Sequence, residues 1–185
     1  MAADVLDTIL QRSSATKLAE PAPDRAQLET LLRAAVRGPD HGRLAPWRFV
    51  VLQGEARHRL GEALAEYTRQ KTPDVAAEVL EGERRKALRA PVIVVVAAAP
   101  SAHPRVPEME QVVAVAAGIE NLILAAHALG FGTQWKTGGA AYRPSGKRAL
   151  GLDATDQILG FIHLGTAVTC APARPAEIDA VTRWL

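Results

Sequence analysis

A chain of 185 residues, 48% hydrophobic and 23% charged, has the composition of one soluble globular domain, residues 1–185, that can bury roughly 70% of the surface its unfolded form exposes. Its net charge of +2, with acidic and basic residues interspersed, forms no basic stripe, so no nucleic-acid partner is expected. The single cysteine, Cys170, excludes an internal disulfide and CxxC redox or zinc chemistry, and fits a reducing, cytoplasmic compartment.

The opening "MAADVLDTILQRSS" lacks the basic and long apolar regions of a signal peptide. Val5, Leu6, Ile9 and Leu10 recur at helical spacing and predict a short helix ending at "QRSSATK", after which polar residues take over. Asp24, with Gln27 three residues on, reads as a capping box; Leu28, Leu31, Leu32, Ala35 and Val36 then form an apolar helix face until Gly38 and Pro39 stop it. Residues 47–52 are apolar and partly β-branched, as in a strand. The charged segment 55–89 predicts surface helices separated near Thr72 and Pro73. "PVIVVVAAA", residues 91–99, reads as a central strand.

Residues 108–129 predict the core helix, closed by Gly130. Glu120, Asn121 and His127 interrupt its apolar run, so no membrane span is expected. "FGTQW" then predicts a short strand before the pair Gly138 and Gly139, residues 147–150 a small helix ended by Gly151, and "QILGFIHLGTA" a last strand. A Pro-rich tail follows. The order suggests a single layered domain, α+β or α/β.

Several site chemistries find no support. "GFGTQW" lacks the third glycine and the preceding strand of a dinucleotide fingerprint. A Walker lysine motif, HExxH and GxSxG are absent, and the five histidines lack metal-ligand spacing. Neither a catalytic side chain nor a metal is therefore expected, and an enzyme of this sequence needs a cofactor to carry its chemistry. Three loops hold donor or cationic groups suited to a phosphorylated, electron-rich planar ligand: Arg12, Ser13 and Ser14; Arg37 and His41; and Trp135, Lys136 and Thr137.

Four stretches in order, "RSSATKLAEPAP", "RGPDHGRLAPWRFVVL", "GFGTQWKTG" and "ILGFIHLGTA", resemble the FMN-dependent nitroreductase family in its short single-domain branch. The resemblance implies an α+β sandwich with a central, mostly antiparallel sheet flanked by helices. It also implies a homodimer with two FMN sites at the subunit interface, and NAD(P)H as electron donor to a nitroaromatic, quinone or similar acceptor. Arg12, Ser13 and Ser14 would then bind the phosphate or ribityl chain, Arg37 and His41 would reach a flavin from the other subunit, and Trp135, Lys136 and Thr137 would lie along the ring. Ala45 stands where many relatives have glutamine, Ser13 where close relatives often have arginine, and Ala167 where proline is usual. Arg174 and Arg183 are candidates for the phosphate pair of the tail.

Each residue also has a plainer reading. Arg12 and Arg37 suit helix C-termini, where a cation is worth roughly 0.3 to 1 kcal/mol. Ser13 and Ser14 suit turns, and His41 an idle exposed site. Trp47 reads as packing, and His58, His103, His127 and His163 as surface or satisfied core. Lys136 suits protection of a strand edge. A flavin-binding storage or sensing protein, or a same-fold enzyme for dehalogenation or flavin breakdown, fits the same residues.

Overall fold

A computed structural model describes residues 5–172 and 177–185. In chain order the helices and strands are α1 (Val5–Gln11), β1 (Ala15–Ala19), α2 (Arg25–Ala35), β2 (Trp47–Gln53), α3 (His58–Lys71), α4 (Ala77–Lys86), β3 (Val92–Ala98), α5 (Glu108–Ala128), β4 (Gly132–Lys136), α6 (Pro144–Ala149) and β5 (Gln157–Cys170). The sheet runs β1-β5-β3-β2, with β4 also beside β5. All of these pairings are antiparallel.

All seven residues of β3 are buried, because helices cover both faces of the sheet. Val92, Val94, Val96 and Ala98 point into a core shared with α2 and α5. Ile93, Val95 and Ala97 point the other way, against Leu60 of α3 and Leu150 beyond α6. Two covered faces explain the unbroken apolar run, where a one-sided strand would alternate. The 21-residue α5 is long and apolar enough to cross a membrane by length and composition, yet Val115, Ile119 and Leu122 are fully buried against the sheet core. It is the core helix the sequence predicts.

Local signals act where the sequence places them. The Asp24 side chain accepts from the Gln27 N–H at 2.8 Å and the Gln27 side chain accepts from the Asp24 N–H at 2.9 Å, closing the capping box. Gly130 and Gly151 take left-handed φ of 84° and 74° just past their helices. The segment after α1 departs from expectation. Ala15–Ala19 forms β1, an edge strand whose Ala15 and Leu18 are buried while Thr16 and Lys17 are exposed. Pairing with the C-terminal half of β5 stabilises it despite its polar content.

The two helices of the first core meet through small residues. A Cβ on Gly118 of α5 would lie 2.5 Å from the Ala35 carbonyl oxygen, and one on Gly38 would lie 2.9 Å from that of Ala114. Gly118→Val is therefore expected to lower stability by about 1 to 3 kcal/mol through overpacking. Gly82 lies inside α4, where an added Cβ would meet nothing within 4 Å, so Gly82→Ala should raise stability by about 0.5 to 1 kcal/mol. Urea unfolding midpoints check both signs.

Candidate functional site

The register of β4 on β5 sorts its side chains between the two faces of the sheet. Trp135 pairs with Ile162 and Lys136 with Phe161. Ile162 belongs to the α2/α5 core and Phe161 to the α3/α6 core, and paired residues share a face. Lys136 thus turns toward α3 and α4. There it lines a cleft of about 440 Å³ together with Thr137, Gly138 and Gly139, a volume in the usual range for small-molecule sites.

Leu60, Leu64 and Phe161 give the cleft an apolar base, and Tyr67, Lys71, Lys86 and His163 add polar groups. The Tyr67 ring occupies the space over Gly139, where a Cβ would fall 1.9 Å from a ring carbon. Gly138 is different: a Cβ there would meet nothing within 4 Å. Its bare backbone borders open space that a flat ligand can enter.

Charge in the cleft is one-sided. Lys71, Lys86 and Lys136 line it with one carboxylate, Glu83, and that carboxylate is held by Lys86 at 2.5 Å. Burial, followed by the charges of Arg89 and Lys86, pushes the Lys136 pKa down. His163 is 4% exposed, and burial together with Lys136 and Arg89 lowers its pKa to about 4. No side-chain hydrogen bond to His163 occurs among the described residues. The sequence leaves His163 as a surface or satisfied core histidine; the structure buries the residue and sets it in the lining of the cleft.

The other expected residues lie apart from this cleft within the chain. Arg12 follows α1, donates its N–H to the Thr8 carbonyl at 3.1 Å and pairs with Glu120 of α5 at 3.6 Å. Ser13 and Ser14 lead into β1, where the Ser14 carbonyl accepts from the Ala171 N–H at 2.8 Å. Ala15 packs with Ala90, so this segment emerges near the end of the stretch that carries Lys86 and Arg89. Arg37 is exposed just past α2. His41 bonds Glu110 of α5 through Nδ1 at 2.6 Å, beside a groove formed with Met109 and Val113.

Trp135 is 40% exposed, and its indole N–H donates to the Leu159 carbonyl at 3.0 Å. Trp47 packs against the first core as expected, although its buried Nε1 has no partner. The His103 ring accepts from the Val106 N–H at 3.1 Å, and His58 lies 3.4 Å from Glu55 on the surface. Arg174 lies outside the described residues, and Arg183 is exposed. Tyr67 and His163 are not expected at the site from sequence, and Lys71, Glu83 and Lys86 fall in the segment 68–90, which the sequence offers only as cover for a pocket and without named residues. They come from α3, α4 and β5, and only the fold assembles them.

His163 also sets a pH dependence. With a folded pKa near 4 against an ordinary value of 6.5, its neutral form stabilises the protein fully above pH 6.5. As pH falls from 6.5 toward 4, the unfolded chain takes the proton first and that stability is lost. The loss totals roughly 3 kcal/mol. Urea unfolding at pH 7.5 and 4.5 should show a smaller pH loss in His163→Gln than in the wild type; equal losses would contradict the assignment.

Residues 9–166 match the nitroreductase family. The Escherichia coli K12 protein named "Putative NAD(P)H nitroreductase YdjA" is 37% identical over 163 residues, covering 88% of each chain. A Haemophilus influenzae protein named "Putative NAD(P)H nitroreductase" is 32% identical over 181 residues, covering 95% of each. The crystal structure of a nitroreductase-like family protein from Bacillus cereus superposes with a TM-score of 0.83 at 25% identity, covering all of this chain and 97% of that one. With its antiparallel sheet, flanking helices and register of β4 on β5, the chain belongs to the nitroreductase family.

Proposed function

We propose that the protein is a cytoplasmic, homodimeric FMN-dependent NAD(P)H oxidoreductase, formed as one domain over residues 1–185, with the flavin ring in the cleft at the end of β4. The observation that carries this reading is the combination of open glycine backbone at Gly138 with lysines that outnumber the carboxylates around them. A flat, electron-rich ring that gains negative charge on reduction suits such a lining. Among proteins of this fold, one from Desulfovibrio desulfuricans is described in complex with FMN, and one from Mycobacterium smegmatis in complex with NADPH. When bound, the flavin supplies the redox chemistry, taking hydride from NAD(P)H and passing electrons to a nitroaromatic, quinone or similar acceptor.

This chain's residues bind and orient. Thr137 and Gly138 offer backbone to the ring edge, while Lys136 and Lys86 place positive charge beside it. Apolar side chains at the base exclude water, which strengthens those charges. Trp135 positions the strand through its bond to the Leu159 carbonyl, its side chain directed away from the cleft. Arg12, Ser13 and Ser14 reach the phosphate or ribityl chain. The long, partly exposed Arg12–Glu120 pair is worth under about 1 kcal/mol, so a phosphate can displace it.

A second subunit completes the site. Arg37 and His41 have no part in the cleft of their own chain and serve the partner's, His41 from the exposed pair it makes with Glu110. Val5, Leu10, Met109 and Val113, each more than half exposed, supply apolar surface of the kind a partner covers. With one cleft to serve both donor and acceptor, the two would enter in turn and the kinetics would be ping-pong.

Freshly purified protein should be yellow and should oxidise NADH or NADPH in the presence of a quinone. A yellow protein without turnover would favour storage or sensing, and a colourless one that ignores added FMN would end the reading. Arg12→Ala should weaken FMN binding about tenfold to a hundredfold in an equilibrium titration of apoprotein. Unchanged affinity would remove Arg12 from the site.

A further inference from the structure

His163 sits in the cleft among groups that come from every surrounding element. Phe161 precedes it on β5, Lys136 ends β4, Tyr67 and Lys71 come from α3, and Glu83 and Lys86 come from α4. Arg89, beyond α4, lies close enough to act on its charge. Lysine and arginine are donors only, whereas a neutral imidazole carries one donor and one acceptor nitrogen. The Glu83 carboxylate already accepts from Lys86. His163 therefore brings an acceptor nitrogen beside its N–H into a cleft rich in donors, only 4% exposed and without a side-chain hydrogen bond among the described residues.

We propose that His163 reads the imide edge of the ring bound in the cleft, its acceptor nitrogen taking the hydrogen bond from the ring N–H while Lys136 and Lys86 donate to the flanking carbonyl oxygens. An imide edge presents acceptor, donor, acceptor; two lysines and a neutral imidazole present the complement. A phosphate or carboxylate presents acceptors alone and would leave the imidazole lone pair without a proton to accept. Burial, Lys136 and Arg89 keep that lone pair unprotonated at neutral pH. The inference rests on the flavin reading above and adds a specific residue to it.

The test compares FMN with N3-methyl-FMN, which lacks the imide N–H, in titrations of the apoprotein. The wild type should bind the methylated ligand at least about tenfold more weakly, as expected for a lost hydrogen bond in a desolvated site. His163→Ala should bind FMN about tenfold more weakly than the wild type and distinguish the two ligands by less than about threefold. In intact wild-type protein, the imidazole ¹⁵N shifts of His163 should move on adding FMN, a reading that needs no variant.

Equal affinities for the two ligands in the wild type, undiminished discrimination in His163→Ala, or unmoved ¹⁵N shifts would overturn the proposal while leaving the flavin site intact. Failure of the wild type to bind FMN at all would end the flavin reading and this proposal with it.

Discussion

The pairing of one long strand with three others governs the geometry of this protein. β5 runs 14 residues; its first part binds β3 and β4, and its second part binds β1. Those ladders set Lys136 opposite Phe161, and His163 opposite both Gln134 and Ile93. Side chains alternate between faces along a strand, so a slip of one residue would carry Lys136 and His163 to the α5 side. The cleft exists because the register is held from both edges of β5. Gly165 contributes to that hold: a Cβ there would lie 2.7 Å from the Pro91 ring and 2.8 Å from the Ala19 carbonyl oxygen.

The same register concentrates positive charge and buries a neutral base. Lys136 and His163 both lose some affinity for protons through burial and through the cations around them. A protein that satisfied only its own folding would gain by supplying a carboxylate or an apolar side chain at such a position. Cations and an imidazole with no side-chain hydrogen bond among the described residues instead surround open glycine backbone, a lining suited to a bound molecule. Such a lining costs stability, as the linings of ligand-binding clefts commonly do.

Much of the fold is legible in the sequence because its signals are local. The Asp24–Gln27 capping box, the glycines at 130 and 151, and the apolar run of β3 each act over a few residues. β1 escapes such a reading because "ATKLA" is short and half polar, and its stability comes from β5, some 150 residues away in sequence. The site is legible in part. Lys136 and Thr137 stand beside a glycine pair and do reach the cleft, whereas the indole of Trp135 lies across the strand from them. Tyr67, Lys71, Lys86 and His163 carry no motif, since their relation arises only when α3 and α4 settle over β5. His163 in particular looks like any strand residue until its burial and the nearby Lys136 are known.

The most direct measurement is an FMN titration of Gly138→Trp, whose side chain would project into the open part of the cleft where nothing lies within 4 Å of the Cβ position. If the ring binds there, the folded variant should keep the wild-type unfolding midpoint and lose FMN affinity by about a hundredfold or more, on the order of 3 kcal/mol. Wild-type affinity in that variant would place the flavin elsewhere and contradict the assignment of the cleft.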